Sequence, residues 1–498
     1  MDSKLSQREH LQQLGLALIL TFLTTRATAF SLLGPYTGWM AETNGFRQRG
    51  DIGGPMNHGE EYRWNVPVAT YTFDESFLDY FGSNGVAAVE SAIGILNSLP
   101  SASQINPSNY PAEVTWINYL AQSQGLIDLE SETLFQLVQQ LGLAQPTRFA
   151  FCLQSFSITN NIITGIVVQR NFDPSSIGYS TNVNDTSYGY DLWYQSTGQG
   201  TMADAVEFPI DPLSDTFTAV ADGALAPGAF YTGLTRDDAG GLRYLLTTNN
   251  INYETLLSGV HGTGANAGSF VNGALRHGVD KITFVRVNGY DPIIGQFFIP
   301  FTNQFTDSFI SNGVPAHQQL ERVITRPDFL FSAADVNDGD PPVPLVVSTS
   351  TSNWLASSAL PGLAGPGIIQ PQVKIAFMKP AFRIQTSDAW PAGTAHVENF
   401  HWGSFDGSTN LPVVYPDGTP LGNTHQLTLH FRLLGPNAAP SQSFTWQLPV
   451  ALGQSAVLQT STNLSDWVPL TVVANYGMDV NWQHTWSRPQ GFFRVVPQ

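Results

Sequence analysis

The chain has 498 residues, of which 12% are charged and 12% aromatic, with 45 glycines and 32 prolines. That length exceeds one compact core, so two or three domains are expected, and the composition is that of a turn-rich, strand-rich protein rather than a disordered or coiled-coil one. A formal net charge of −18, uninterrupted by any basic run, repels phosphate backbones and anionic lipid, which excludes nucleic acid and polybasic membrane binding.

Residues 1–29 read as a secretory signal peptide. Lys4 and Arg8 precede an apolar run from Leu14 to Leu23, and Ala27-Thr28-Ala29 then offers a small-x-small cleavage site. The run is too short to span a bilayer, which disfavours a retained anchor. The mature chain is therefore expected outside the cytoplasm: extracellular, periplasmic or held at the cell surface.

From Phe30 to Asn65 the sequence is rich in Gly and Pro and shows no sustained period, so an irregular lead-in is expected. Val66 to Phe73 reads as a strand, with Asp74 and Ser76 as turn or cap residues. Val86, Val89, Ile93 and Leu96 share one face of a helix predicted over Ser83 to Leu99, which Pro100 ends. A polar loop follows from Ser101 to Ala112, and Thr115 to Ala121 is short and of open type.

The stretch from Leu126 to Pro146 predicts a second helix. Leu134, Leu137, Val138 and Leu141 recur at helical spacing, Asp128, Glu130 and Glu132 lie near its positive end, and Gly142 and Pro146 stop it. Arg148 to Val220 changes to strand-like runs separated by Asn, Gly, Asp and Ser clusters, the pattern of hairpins or a meander. The lone cysteine, Cys152, lies in an apolar run and reads as a small buried hydrophobe. Leu234, Leu242, Leu245 and Leu246 predict a short helix, with Thr235 as N-cap and Asp237 and Asp238 in its first turn.

The order strand, helix, loop, helix, followed later by LTRDDAGGLRYLL, resembles the matrixin-type metzincin metalloproteases. Those enzymes carry H-E-x-x-H-x-x-G-x-x-H on the second helix and close with a helix entered through paired aspartates. If Gly142 is the glycine of that pattern, the resemblance puts the three zinc-ligand positions at Phe135, Gln139 and Gln145, and the general base at Gln136. A phenyl ring and neutral amides do not hold zinc, and no carboxylate remains to take a proton from a metal-bound water. The resemblance covers roughly residues 66 to 258. It implies an inactive relative with a strand-rich insertion at about 147–229. The segment TYTFDESFLDYFGSNGVAAVESAIGILNSLP also resembles uncharacterised secreted proteins of Verrucomicrobia and related bacteria, which implies secretion but no activity.

Residues 259–434 predict a β-rich middle domain, with strands at Lys281 to Val287, Val373 to Met378 and Leu427 to Leu433. His261-Gly262-Thr263-Gly264 is a Gly-rich turn rather than an oxyanion loop, because no G-x-S-x-G elbow occurs in the chain. Asp335-Val336-Asn337-Asp338-Gly339-Asp340 is rich in oxygen donors, but its glycine falls early and no bidentate Glu follows at calcium-loop spacing. His396, Glu398 and His401 lie close together, although on a strand His401 would face away from the other two.

Gly435 to Ser441 marks a boundary, with a linker over 435–443 and a small C-terminal β module over 444–498. Trp467, Phe492, Phe493, Arg494 and Val495 resemble the LQ-x-S-x-N-L-x-x-W and F-[YF]-R-V signatures of the β-sandwich-like module that ends many secreted verrucomicrobial proteins. Trp446, Trp482 and Trp486 read as core aromatics, with a glycan-stacking face as the alternative.

The fold expected is α+β: a zincin-like domain over 30–258, a β-rich domain, and the terminal module. The function expected is a secreted, non-catalytic binding or extracellular structural protein with no cofactor or metal, contacting an extracellular protein or polysaccharide. The alternative is a secreted hydrolase, peptidase or glycan-active, using His396, Glu398 and His401 or the Asp237-Asp238 pair.

Overall fold

A computed structural model of the chain describes residues 29–48, 51–197, 200–223, 225–257, 259–287, 300–333, 373–377, 401–415 and 455–474, and strand segments at 348–349, 384–385, 396–397, 427–434, 442–448, 480–485 and 492–497. The architecture mixes helices with many small sheets.

Phe329–Ser332 is the middle strand of a five-stranded sheet ordered Thr283–Arg286, Val68–Phe73, Phe329–Ser332, Val373–Ala376, Ser348–Thr349. The first four run parallel and the last is antiparallel. Every residue of Phe329–Ser332 is buried, as expected for a parallel strand covered on both faces. Helix α1 (Glu75–Ser98) leaves Val68–Phe73 and packs on this sheet. It begins earlier than the helix expected from Ser83, because Asp74 caps the N–H of Phe77 at 3.0 Å. Gly82, at φ 58° and ψ −157°, then breaks it between the two parts. The apolar period became regular only beyond that break.

Helix α2 (Leu129–Gln140) packs against α1 and enters from the strand Leu126–Asp128, which lies parallel to His401–Ser404. Asp128 caps α2, its Oδ2 accepting from the Ser131 N–H at 2.8 Å and hydroxyl at 2.6 Å. Gly142 ends the helix at φ 117°, where a Cβ would meet the Tyr62 carbonyl oxygen at 2.2 Å. Helix α3 (Arg236–Leu246) opens with a capping box in which Thr235 and Asp238 bond reciprocally.

The lead-in contains strands that the sequence did not suggest. Phe30–Gly34 pairs antiparallel with Gly54–Met56, Leu143–Ala144 and Asn171–Phe172. All five of its residues are buried, so it shows no alternation of polar and apolar positions. The insertion forms the hairpins Cys152–Thr159 with Ile162–Val168 and Thr186–Thr197 with Gly200–Pro209, around a small core of Ala150, Leu153, Tyr188, Ala203 and Ala205.

A second sheet is antiparallel throughout, in the order Ile251–Thr255, Gly273–His277, Phe301–Ser311, Val314–Ile324, Val260–Gly262. One buried ion pair ties it to the lead-in and another joins two of its own strands. Arg63 Nε donates to Glu254 at 2.5 Å, and Arg276 Nε to Asp307 at 3.1 Å. Strand pairing runs through the boundary expected at residues 258 and 259, since strands beyond residue 282 complete the sheet begun by Val68–Phe73. Leu427–Leu434, before the linker expected over 435–443, pairs with Gln442–Leu448 and Val480–Thr485; residues 435–441 lie outside the described residues.

In the terminal segment, Ser455–Ser461 pairs with Val468–Ala474 and Phe492–Pro497, and Arg494 lies 4.2 Å over the Trp467 ring. Asn463 closes the intervening turn by accepting from the N–H groups of Ser465 at 2.9 Å and Asp466 at 2.8 Å. Among the described residues no helix is long and apolar enough to cross a membrane.

The Arg63–Glu254 pair yields a stability test. Both side chains are fully buried, and Arg63 also donates to the carbonyls of Asn250 at 2.7 Å and Arg276 at 3.0 Å. Arg63→Met leaves Glu254 charged and unpaired, so urea unfolding should show a loss of about 3–5 kcal/mol. An unchanged midpoint would show that the pair holds nothing together.

Candidate functional site

The four positions that the metzincin resemblance marks lie on and just beyond α2, and three of them are buried. Phe135, Gln136 and Gln139 are buried, with 9%, 5% and 8% of their surface exposed, and Gln145 is half-buried. Gln136 Nε2 donates to Glu132 Oε1 at 3.2 Å, one helical turn back. Gln145 Nε2 donates to the Asp222 carbonyl oxygen at 3.3 Å. The Phe135 ring fills the space beside Gly223, where a Cβ would meet it at 2.4 Å. A single turn, Val220–Asp222, therefore lies over this part of α2, and its three residues are buried.

Carboxylates hold that turn down. Asp238 accepts from the Val220 N–H at 2.9 Å and the Ala221 N–H at 3.0 Å while it caps α3. Asp222 accepts from the Thr147 N–H at 2.9 Å and hydroxyl at 2.7 Å. The aspartate pair at the start of α3 is thus occupied in packing. Asp238 is both cap and clamp, and Asp237 accepts from the N–H groups of Ala29 at 2.9 Å and Asn184 at 2.5 Å.

Burial governs the ionisation of these groups. It pushes Asp128, Glu132 and Asp222 each up to about 7, against the opposing effect of their hydrogen bonds. It raises Asp238 and, further, Asp237. The Tyr231 hydroxyl is buried without a hydrogen-bond partner, and burial followed by the charges of Asp222, Asp238 and Glu132 pushes it well above its ordinary value. Burial likewise raises the Cys152 thiol, so it stays protonated and inert.

The other sequence candidates are dispersed. His261 is exposed on the short strand Val260–Gly262. His401 is exposed at the start of His401–Ser404, and His396 begins a two-residue strand, while Glu398 lies outside the described residues. The oxygen-rich run Asp335 to Asp340 and the side chains of Trp482 and Trp486 also lie outside them. Among the described residues no three His, Cys, Asp or Glu side chains gather as a metal site.

An open cleft lies on the antiparallel sheet, at residues that carried no sequence expectation of a site. Its volume is about 480 Å³, and Asn249, Arg276, His277, Thr306, Ser308 and His317 line it. Arg276 belongs to the floor, because Asp307 and the carbonyls of Glu254 and Val271 occupy its guanidinium. Ser308 and His317 face each other across the hairpin, with Ser308 Oγ 2.9 Å from His317 Nδ1. His277 Nδ1 lies 2.6 Å from the Thr248 carbonyl, which only accepts, so that nitrogen carries the proton. Among the described residues no carboxylate bonds the other ring nitrogen of His317. The signal that would have found this pair is the Asn312-Gly313 turn: both residues have positive φ, 51° and 78°, and counting outward from them pairs Ser308 with His317.

The raised carboxylates predict the pH dependence of stability. Each binds its proton more tightly folded than unfolded, so the stability they contribute is complete below the ordinary carboxylate range and is lost as pH rises through about 7. Urea midpoints should fall from about pH 5 to about pH 8 by the equivalent of a few kcal/mol, roughly. A midpoint that rises over this interval would contradict the protonation states assigned.

No family model matches the chain, and no curated protein and no solved structure is similar to it.

Proposed function

We propose that this is a secreted, non-catalytic binding protein built on a zincin-like α+β domain, and that its ligand is an extracellular polysaccharide or protein segment held at the cleft beside Ser308 and His317. The observation that carries the proposal is the state of α2. Where a metalloprotease needs imidazoles and a carboxylate facing an open cleft, this chain has Phe135 against Gly223, Gln145 bonded to the turn Val220–Asp222, and Gln136 and Gln139 buried on the same helix. The paired aspartates of α3, the sheet with α1 against it and α2 against α1 support the zincin-like reading. The strands that complete that sheet follow α3 in the chain, so the resemblance rests on the helices rather than on strand order.

The cleft is lined at its rim by hydroxyl, amide and imidazole groups; of its charged members, Arg276 and Asp307 pair with each other, and Asp280 accepts from the Ser103 N–H and hydroxyl. Such a surface suits a ligand with many neutral hydroxyls or peptide groups. The net charge of the chain keeps polyanions away.

One observation favours a second reading, a secreted hydrolase. Ser308 and His317 stand at hydrogen-bond distance, as a nucleophile and its base do. The contact uses Nδ1, and without a carboxylate on the other nitrogen the ring is neither oriented nor stabilised when it takes a proton.

Purified protein tested against insoluble polysaccharides and cell envelopes should be retained, and Ser308→Ala with His317→Ala should weaken retention about tenfold, in line with the loss of one or two hydrogen bonds. Zinc should be well below one equivalent. Stoichiometric zinc, or ester hydrolysis that Ser308→Ala abolishes, would overturn the binding reading.

A further inference from the structure

The antiparallel sheet is covered on one face and open on the other. Along Ile251–Thr255 the side chains alternate, with Ile251 and Tyr253 outward and Asn252 and Glu254 inward. Gly273–His277 repeats the pattern, with Leu275 outward and Ala274 and Arg276 inward. Residues opposite each other in an antiparallel pair share a face, so the register lays two rows across four strands. One row is Tyr253, Leu275, Ile310 and Pro315. The next, two residues along each strand, is Ile251, His277, Ser308 and His317, and all four line the cleft. The first row is apolar, whereas the second carries mostly imidazole and hydroxyl groups. About 7 Å separates the rows, and each spans roughly 14 Å.

Tyr253 does not stand off the sheet. A Cβ on Gly273, in the neighbouring strand, would meet the Tyr253 hydroxyl oxygen at 2.7 Å and Cζ at 3.5 Å, so the ring leans across that strand in the room the glycine leaves. It is nonetheless 42% exposed, and Leu275 beside it 41%. An aromatic ring laid along a sheet beside a row of hydrogen-bonding groups offers one ligand both a dispersion surface and directional polar contacts. His277 Nδ1 is committed to the Thr248 carbonyl, which leaves Nε2 an acceptor.

We propose that this face is a glycan platform, on which a neutral polysaccharide lays the C–H face of one pyranose ring on Tyr253 and turns hydroxyls to His277, Ser308 and His317. The proposal rests on the binding reading given above and narrows its two ligand classes to one. A pyranose is divided as the two rows are, with carbon-bound hydrogens on its faces and hydroxyls round its edge. A peptide adds to a sheet by pairing with the open N–H and C=O groups of an edge strand, whereas Gly273–His277, Phe301–Ser311 and Val314–Ile324 each have a strand on both sides. Charge selects against acidic glycans. Arg276 is the only arginine or lysine among the described residues that line the cleft, it pairs with Asp307, and the chain carries a net charge of −18.

The test is frontal affinity chromatography of the full chain on an immobilised neutral β-glucan, a neutral galactomannan and, as the acidic counterpart, polygalacturonate. At least one neutral polymer should retain the protein, and polygalacturonate should not. Tyr253→Ala should weaken that retention about tenfold, the equivalent of one stacked ring, while Tyr253→Phe should stay within about twofold of the wild type. If Tyr253→Ala does not accumulate, Tyr253→Leu, which keeps an apolar side chain but no flat ring, is read in its place. Retention that is lost in Ser308→Ala with His317→Ala but unchanged in the Tyr253 variants overturns the platform and leaves the cleft reading standing. Retention by polygalacturonate alone, or on cell-envelope protein with no neutral polymer bound, overturns the glycan assignment alone. A chain retained by neither polymer nor envelope overturns the binding reading and the platform with it.

Discussion

Buried carboxylates that accept backbone N–H groups from distant segments are the constraint on which this structure depends. Much of the chain near α2 and α3 is irregular, and enclosed irregular backbone must find acceptors outside a ladder. Asp222 supplies one to Thr147, Asp237 to Ala29 and Asn184, and Asp238 to Val220 and Ala221. Asp328 does the same for Thr70 while pairing with Arg322, which joins the parallel sheet to the antiparallel one. These bonds link segments up to 258 residues apart, so local propensity alone cannot assemble the fold.

The same constraint shapes the functional reading. Holding Val220–Asp222 down with Asp238 places a fixed turn over the part of α2 that would have to be open for metal-assisted hydrolysis. Phe135 and Gln139 are buried there and Gln145 bonds the turn, and neither a phenyl ring nor a neutral amide offers zinc a donor. On the antiparallel sheet, cross-strand pairing rather than helix spacing brings Ser308 to His317.

The caps of α1 and α3, the strand Val68–Phe73 and the hairpins of the insertion were legible because each is written within a short window: a cap before an apolar period, or alternation beside turn residues. The five-stranded sheet was not, since a parallel neighbour such as Phe329–Ser332 can come from any distance along the chain. Phe30–Gly34 escaped notice because full burial erases its period. Asp237 and Asp238 were read correctly as first-turn residues of α3, but nothing local told that they would be enclosed and turned toward Ala29 and Val220. The Ser308–His317 pair had its signal in Asn312-Gly313, which went unused.

Hydrogen exchange over residues 217–223 tests most directly whether α2 is sealed. The account predicts that the N–H groups of Val220 and Ala221, bonded to Asp238, exchange as slowly as those within α2 itself. Exchange at the rate of an open surface loop would mean that the turn lifts and exposes Phe135, Gln136 and Gln139, which contradicts a structural role for that helix.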